Sequence, residues 1–204
     1  MQIPTKKIAL QFLFYYVLMI GFFFFVYLNC NELASHSSKI YTLHFDWEKN
    51  TPFIPIMIIP YFSVYLLSLP LIFFMDGQKI HQFAKTVGLS ILIAGIIFFL
   101  FPTTCELERP AGNYPFSAAF RALHGYDKPH NLFPSLHITL STIFVLMMWE
   151  KRANPWFKAV LVAWLFLICL SVLFTHQHYV PDILGGFVLS GFCYWSFSKS
   201  RAPS

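Results

Sequence analysis

The stretch from Phe53 to Met75, FIPIMIIPYFSVYLLSLPLIFFM, runs for 23 residues without a charge. A helix needs about 20 predominantly apolar residues to cross a hydrocarbon core ~30 Å thick, so this run predicts a membrane span. Pro55, Pro60 and Pro70 would break a soluble helix, but such prolines are tolerated among packed membrane helices. Comparable runs lie at 8–28, 86–101, 132–149, 157–175 and 180–198, and in 8–28 Gln11 is the one clearly polar residue. Lys6 and Lys7 before that run would suit a signal peptide. The run is longer than a signal core and no small-residue cleavage site follows, so it reads as the first span. The expected fold is therefore an all-α integral membrane protein, a bundle of six transmembrane helices with short loops. With 57% hydrophobic and 11% charged residues, the composition belongs to the membrane class. No repeat or flexible linker divides the chain, which reads as one domain, 1–204.

Six spans put both termini on one side. That side would carry nine basic residues, Lys6, Lys7, Lys79, Lys85, Lys151, Arg152, Lys158, Lys199 and Arg201, against the acids Asp76 and Glu150. The other side has five basic residues, Lys39, Lys49, Arg109, Arg121 and Lys128, with the remaining seven acids. The positive-inside rule then places both termini in the cytoplasm. The net charge of +5 is in this reading a topology signal. No basic patch interleaves with aromatics, so a nucleic-acid partner is not expected.

The four cysteines form no CxxC pair and no zinc spacing. Cys169 and Cys193 fall inside apolar spans and read as small buried hydrophobes. Cys30 and Cys105 both fall on the outward side, where a disulfide would survive, though nothing local fixes their separation.

Seven of the eight histidines, all but His81, lie on the outward side. Ser171, Thr175, His176, His178, Pro181 and Asp182 stand at the join of the fifth and sixth runs, and His137 at the mouth of the fourth. Ionisable groups at the edge of hydrocarbon are costly, which makes this a candidate site. His178 and Asp182 are four apart, a spacing that lets a carboxylate hold one ring nitrogen and leave the other free as a nucleophile. Asp182 after Pro181 also suits the start of a helix. Pro134-Ser135-Leu136-His137 suggests a second helix start, whose free amides suit phosphate oxygens. Arg109, Arg121 and Lys128 in the 102–131 loop are candidate phosphate cations. A His/His/Asp set can transfer a phosphoryl group by nucleophilic and acid–base steps. No carboxylate cluster suits Mg²⁺, so neither a metal nor another cofactor is expected.

These residues resemble the type-2 phosphatidic acid phosphatase superfamily of integral membrane enzymes, over about residues 102–198. Its motifs are Lys-x6-Arg-Pro, Pro-Ser-Gly-His and Ser-Arg-x5-His-x3-Asp. The matching positions are Arg109-Pro110, Pro134-Ser135-Leu136-His137, and Ser171 with His178 and Asp182. Pro102 stands where the first motif has Lys, Leu136 replaces Gly, and Val172 replaces Arg. Two phosphate-binding cations are thus missing, and Arg121, Lys128, His130 and His176 are the available substitutes. The segment His176 to Asp182 is also similar to the His-x-His-Tyr-x-x-Asp of sphingomyelin synthases and to the His-His-Tyr pattern of inositol phosphorylceramide synthases.

The resemblance implies a metal-independent lipid phosphate phosphatase, acting on a phosphomonoester or diphosphate lipid at the extracytoplasmic face. His178 would form a phosphohistidine, Asp182 would orient it and His137 would protonate the leaving oxygen. Arg109, Ser135 and Ser171 would hold the phosphate oxygens. The implied partners are a lipid phosphate and the bilayer. The alternatives are a transferase of phospho-headgroups between lipids, which the synthase-like segment implies, and an inactive lipid-binding protein, which the missing cations suggest. A transporter is disfavoured by the lack of paired broken helices in corresponding halves.

Overall fold

Three prolines and one serine shape the apolar stretch at 53–75. In the computed structural model, which describes residues 3–67, 69–110, 112–151 and 154–198, it is not one helix. A 3₁₀ turn at Pro55–Met57 leads into a helix at Ile58–Leu67, and a second 3₁₀ turn follows at Leu69–Phe73. Each proline withdraws a donor from the ladder, and the Ser63 hydroxyl donates to the carbonyl of Pro60. The expected second span is therefore present but segmented.

Seven α-helices are described: α1 Lys6–Ser35, α2 Ile58–Leu67, α3 Gly77–Leu100, α4 Ser117–Tyr126, α5 Leu136–Lys151, α6 Pro155–Phe174 and α7 Val180–Ser198. Among the described residues there is no strand, only a single parallel bridge between Tyr41 and Thr103. Side-chain caps start several helices: Thr5 accepts from Ile8 N, Asp76 from Lys79 N and Asn154 from Trp156 N. The Asp76 cap explains why α3 begins at Gly77, well before the clean apolar core at 86–101. α5 begins later than the run at 132–149, because Pro134 precedes its first turn.

Among the described residues, four elements are long and apolar enough to cross a membrane: α1, the 55–73 stretch, α3 and α6. This is a membrane protein with several spans. α5 has 16 residues, roughly 24 Å of helix at 1.5 Å per residue, and α7 carries Asp182 in its first turn. The bundle turns apolar side chains outward, among them Phe14, Phe25, Phe166 and Val188. Arg152, Lys199 and Arg201 from the topology count lie outside the described residues. Loops are not uniformly short: the segment between α3 and α5 contains α4, whose Phe120 is fully buried and whose Leu123 is nearly so. All four cysteines are free, and Cys30 donates to the carbonyl of Gly95 at 3.5 Å.

α5 and α7 run side by side and meet at two glycines. A Cβ on Gly186 would lie 2.8 Å from the carbonyl oxygen of Ser135 and 2.9 Å from Ile138 Cβ. A Cβ on Gly185 would lie 2.5 Å from the Phe133 ring. Ser135 N donates to the carbonyl of Asp182 at 3.0 Å, and Thr139 Oγ1 reaches the carbonyls of Ser135 and Gly186 at 2.8 and 3.2 Å. Replacing Gly186 by Leu should destabilise the bundle by about 1–3 kcal/mol through overpacking. Gly191, which has nothing within 4 Å of its would-be Cβ, should accept Ala without loss. Thermal unfolding of the two variants in detergent checks this pair.

Candidate functional site

The ends of α3 and α6 and the starts of α5 and α7 share one end of the bundle, beneath the 101–135 segment. α6 stops at Phe174, and Thr175 donates to Ser171 through both its amide and its hydroxyl, at 2.9 and 2.6 Å. His176 then takes a left-handed backbone with φ of 56°. The amides of Gln177 and His178 both turn back onto the carbonyl of Val172, at 3.1 and 3.0 Å. This hairpin delivers His178 and the start of α7 to the site.

Asp182 is 1% exposed, and its Oδ2 accepts from Tyr179 N at 2.8 Å while lying 3.4 Å from His178 Nδ1. It therefore caps the start of α7 and faces the histidine at once, and the cap is the shorter contact. The His178 contact is not aligned as a hydrogen bond, and Nδ1 has no such partner. Across from it, the His137 ring stacks on Tyr61 with centroids 4.2 Å apart and meets the His178 ring edge-on at 6.1 Å. His137 Nε2 is buried with no hydrogen-bond partner. Ser135 opens α5, and its Oγ accepts from Ile138 N at 3.5 Å.

The candidate phosphate-binding residues divide into two groups. Arg109 reaches this end of the bundle, donating to the carbonyl of Asp127 at 2.9 Å. Ser135 is also in place. Ser171 is fully buried and already donates to the carbonyl of Ile168 at 2.7 Å. Lys128 is bound to Glu32 at 2.5 Å, and Arg121 is exposed on α4. Neither converges with the histidines. Val172, standing where the third motif has Arg, packs in the apolar cluster of Ile58, Ile138 and Ile168. His176 has both ring nitrogens on backbone carbonyls, Glu108 at 2.8 Å and Thr51 at 3.0 Å. It ties loops together and has no nitrogen left for a phosphate.

Four residues outside the motifs also shape the site. Asp127 is held by the Tyr27 hydroxyl at 2.6 Å and by Asn31 Nδ2 at 3.4 Å. Burial pushes its carboxyl up from the usual range, against the Tyr27 hydrogen bond and the Arg109 charge. Glu48 is 1% exposed and accepts from Val180 N at 2.6 Å and from Phe45 N at 2.7 Å. It is thus a second carboxylate at the start of α7, supplied from a distant loop. Asp127 had a visible signal, an acid between Arg109 and His137. Glu48 and Tyr27 had none. Among the described residues, no three His, Cys, Asp or Glu side chains gather in a way that could hold a metal ion.

The architecture and site define a helical membrane protein with a His/His/Asp cluster at one end of its bundle. Residues 56–196, more than half of the chain, match the PAP2 superfamily, and the chain belongs to it. Its members are typically phosphatases acting on phosphate esters, which suggests a lipid phosphatase here. Comparison with curated proteins returned no match.

The same end of the bundle carries a pH-sensitive histidine. Burial and then the Arg109 charge push His124 down to about 4, and its Nε2 is buried without a partner. A histidine with a lowered folded-state pKa favours folding in its neutral form. That stability is complete above the unfolded value of 6.5 and is lost as pH falls towards 4. The melting temperature should therefore fall across this window, and His124→Gln should flatten the fall. Unfolding scans at stepped pH read this directly.

Proposed function

We propose that this protein is a metal-independent lipid phosphate phosphatase that works through a phosphohistidine. The observation that carries the reading is the His137–His178 ring pair at 6.1 Å with Asp182 3.4 Å from His178 Nδ1. With Nδ1 turned to Asp182, Nε2 of His178 is the nucleophile. Its lone pair attacks phosphorus, the bond from phosphorus to the lipid oxygen breaks, and protonated His137 gives its proton to that oxygen. Water enters next. Neutral His137 takes a proton from it, the new oxygen bonds to phosphorus, and the P–N bond breaks, returning its electrons to His178 and releasing phosphate. Asp182 stabilises the positive charge on His178 in the intermediate. Arg109 and the amides of Leu136 and His137, which have no place in the helix ladder, bind the non-bridging oxygens.

α5 and α7 complete six crossings in this reading. The excess of basic residues on the terminal side then puts the termini in the cytoplasm and the site on the extracytoplasmic face.

One observation favours a second reading, transfer of a phospho-headgroup to a lipid alcohol. Val172 lies in an apolar cluster and Ser171 is committed to a carbonyl. Fewer donors and cations remain for a doubly charged phosphomonoester, while a singly charged phosphodiester needs fewer. The similarity of His176 to Asp182 to the synthase pattern points the same way.

Purified protein, incubated in EDTA with a panel of lipid phosphates, should release inorganic phosphate. His178→Ala should abolish release, and His137→Ala should lower it by about 10²–10⁴-fold. Undiminished release by His178→Ala would overturn the mechanism. Label moving into a second lipid, with little free phosphate, would select the transferase reading.

A further inference from the structure

Beside His137, α1, α2, α3 and α5 line a partly open apolar cavity of about 150 Å³. On α1 it runs from Phe23 to Phe12 and on α3 from Ile91 to Ile80. About eleven rises of 1.5 Å make it roughly 16 Å long on both walls, close to one leaflet of a ~30 Å hydrocarbon core. An apolar cavity of about 150 Å³ holds one benzene-sized molecule, too little for two chains, so a single hydrocarbon chain would lie along it with part of its surface on the open side.

The α5 wall differs from the others. His137 lines the cavity, and Ser141 lies on the same helix face four residues further, roughly 6 Å along the axis. Ser141 is 1% exposed, and its hydroxyl has no hydrogen-bond partner. Two tyrosines on the walls are already engaged: Tyr15 with His81 at 2.6 Å and Tyr16 with the carbonyl of Tyr65 at 3.2 Å. A buried hydroxyl without a partner is costly and calls for an acceptor. It lies one helical turn from His137, a distance that the glycerol linkage between a phosphate and the first carbonyl of an acyl lipid can span.

We propose that this cavity receives one acyl chain of the lipid substrate, and that the Ser141 hydroxyl donates to the carbonyl at the head of that chain. The inference rests on the lipid phosphatase reading and narrows it. The substrate class is an acyl lipid phosphate, with the carbonyl in an ester or an amide, and polyprenyl phosphates, which have no such carbonyl, are poor substrates. Ala84, about two-thirds of the way from Ile91 to Ile80, sets how far the chain can extend.

The test measures binding apart from turnover. Single-chain acylglycerol phosphates of graded length compete with a fluorescent long-chain analogue on the detergent-purified His178→Ala protein. Affinity should climb with chain length and level off near one leaflet. Adding Ala84→Leu should lower the ratio of long-chain to short-chain affinity at least about tenfold; Val64→Phe on the facing α2 wall gives the same reading if Ala84→Leu does not fold. The alkyl ether analogue, which lacks the carbonyl, should bind about five- to tenfold more weakly, the loss of one hydrogen bond. Ser141→Ala should erase that difference. An N-acyl amide phosphate in place of the ester shows which carbonyl is preferred.

Affinity that ignores chain length, or is unmoved by Ala84→Leu and Val64→Phe, would mean that bulk lipid fills the cavity, and overturns the proposal. An ether preference unchanged by Ser141→Ala overturns the carbonyl contact. Phosphate release by the wild type without these chain effects leaves the phosphatase reading standing alone. Chain effects without release do the reverse.

Discussion

The contact of α7 with the Phe133–Ile138 segment is the constraint on which the site depends. Gly185 and Gly186 remove the side chains that would hold the two apart, and the backbones close to a direct hydrogen bond between Ser135 N and the carbonyl of Asp182. That bond sits between the two histidine-bearing segments. His137 follows Ser135 by two residues and His178 precedes Asp182 by four, so only short stretches of backbone separate the rings from the join, and the turn at 175–179 carries His178 to it. Thr139 reinforces the join by reaching the carbonyl of Gly186. A site built this way is positioned by main chain, which has fewer ways to relax than long side chains do.

The remaining task at this end of the bundle is to satisfy backbone polar groups where helices stop. The structure does so with side chains from distant segments. Thr103 Oγ1 accepts from the amides of Leu132 and Phe133 at 3.1 and 2.9 Å. His176 bridges two carbonyls, and Glu48 accepts the amide of Val180. Orphaned backbone groups buried away from water cost as much as lost hydrogen bonds. The loops over the histidines are therefore tied to the helix ends. Since the cysteines are free, no covalent link shares that work.

Much of this could be read from residue order. Apolar runs located every major helix, because hydropathy over some 20 residues is a strong signal in a solvent that accepts only satisfied backbone. His137, His178 and Asp182 were singled out because ionisable groups at span ends are rare, and the fold brings the three side chains together. The misses have physical causes. The prolines in 53–75 divided a run that hydropathy alone reads as continuous. α4 is too short for a span and was hidden in a loop. Ser171 and Lys128 carry suitable chemistry, but each had a nearer partner, the carbonyl of Ile168 and the carboxylate of Glu32. Glu48 and Tyr27 act across more than a hundred residues of sequence apart from their partners or nearly so. No local pattern encodes such pairings.

The segment that matches the superfamily begins at residue 56, after the whole of α1. Yet α1 forms one wall of the cavity beside His137, and its Tyr27 and Asn31 hold Asp127. In the proposed reading, one of the four walls that would meet the substrate's chain is thus encoded outside the segment that carries the histidine pair. Substitutions in α1 can remodel what the protein accepts while leaving the histidine pair and its glycine join untouched. Evolution is free to tune selectivity and reactivity at different rates, and the first helix is the place to look for divergence among relatives that share the same chemistry.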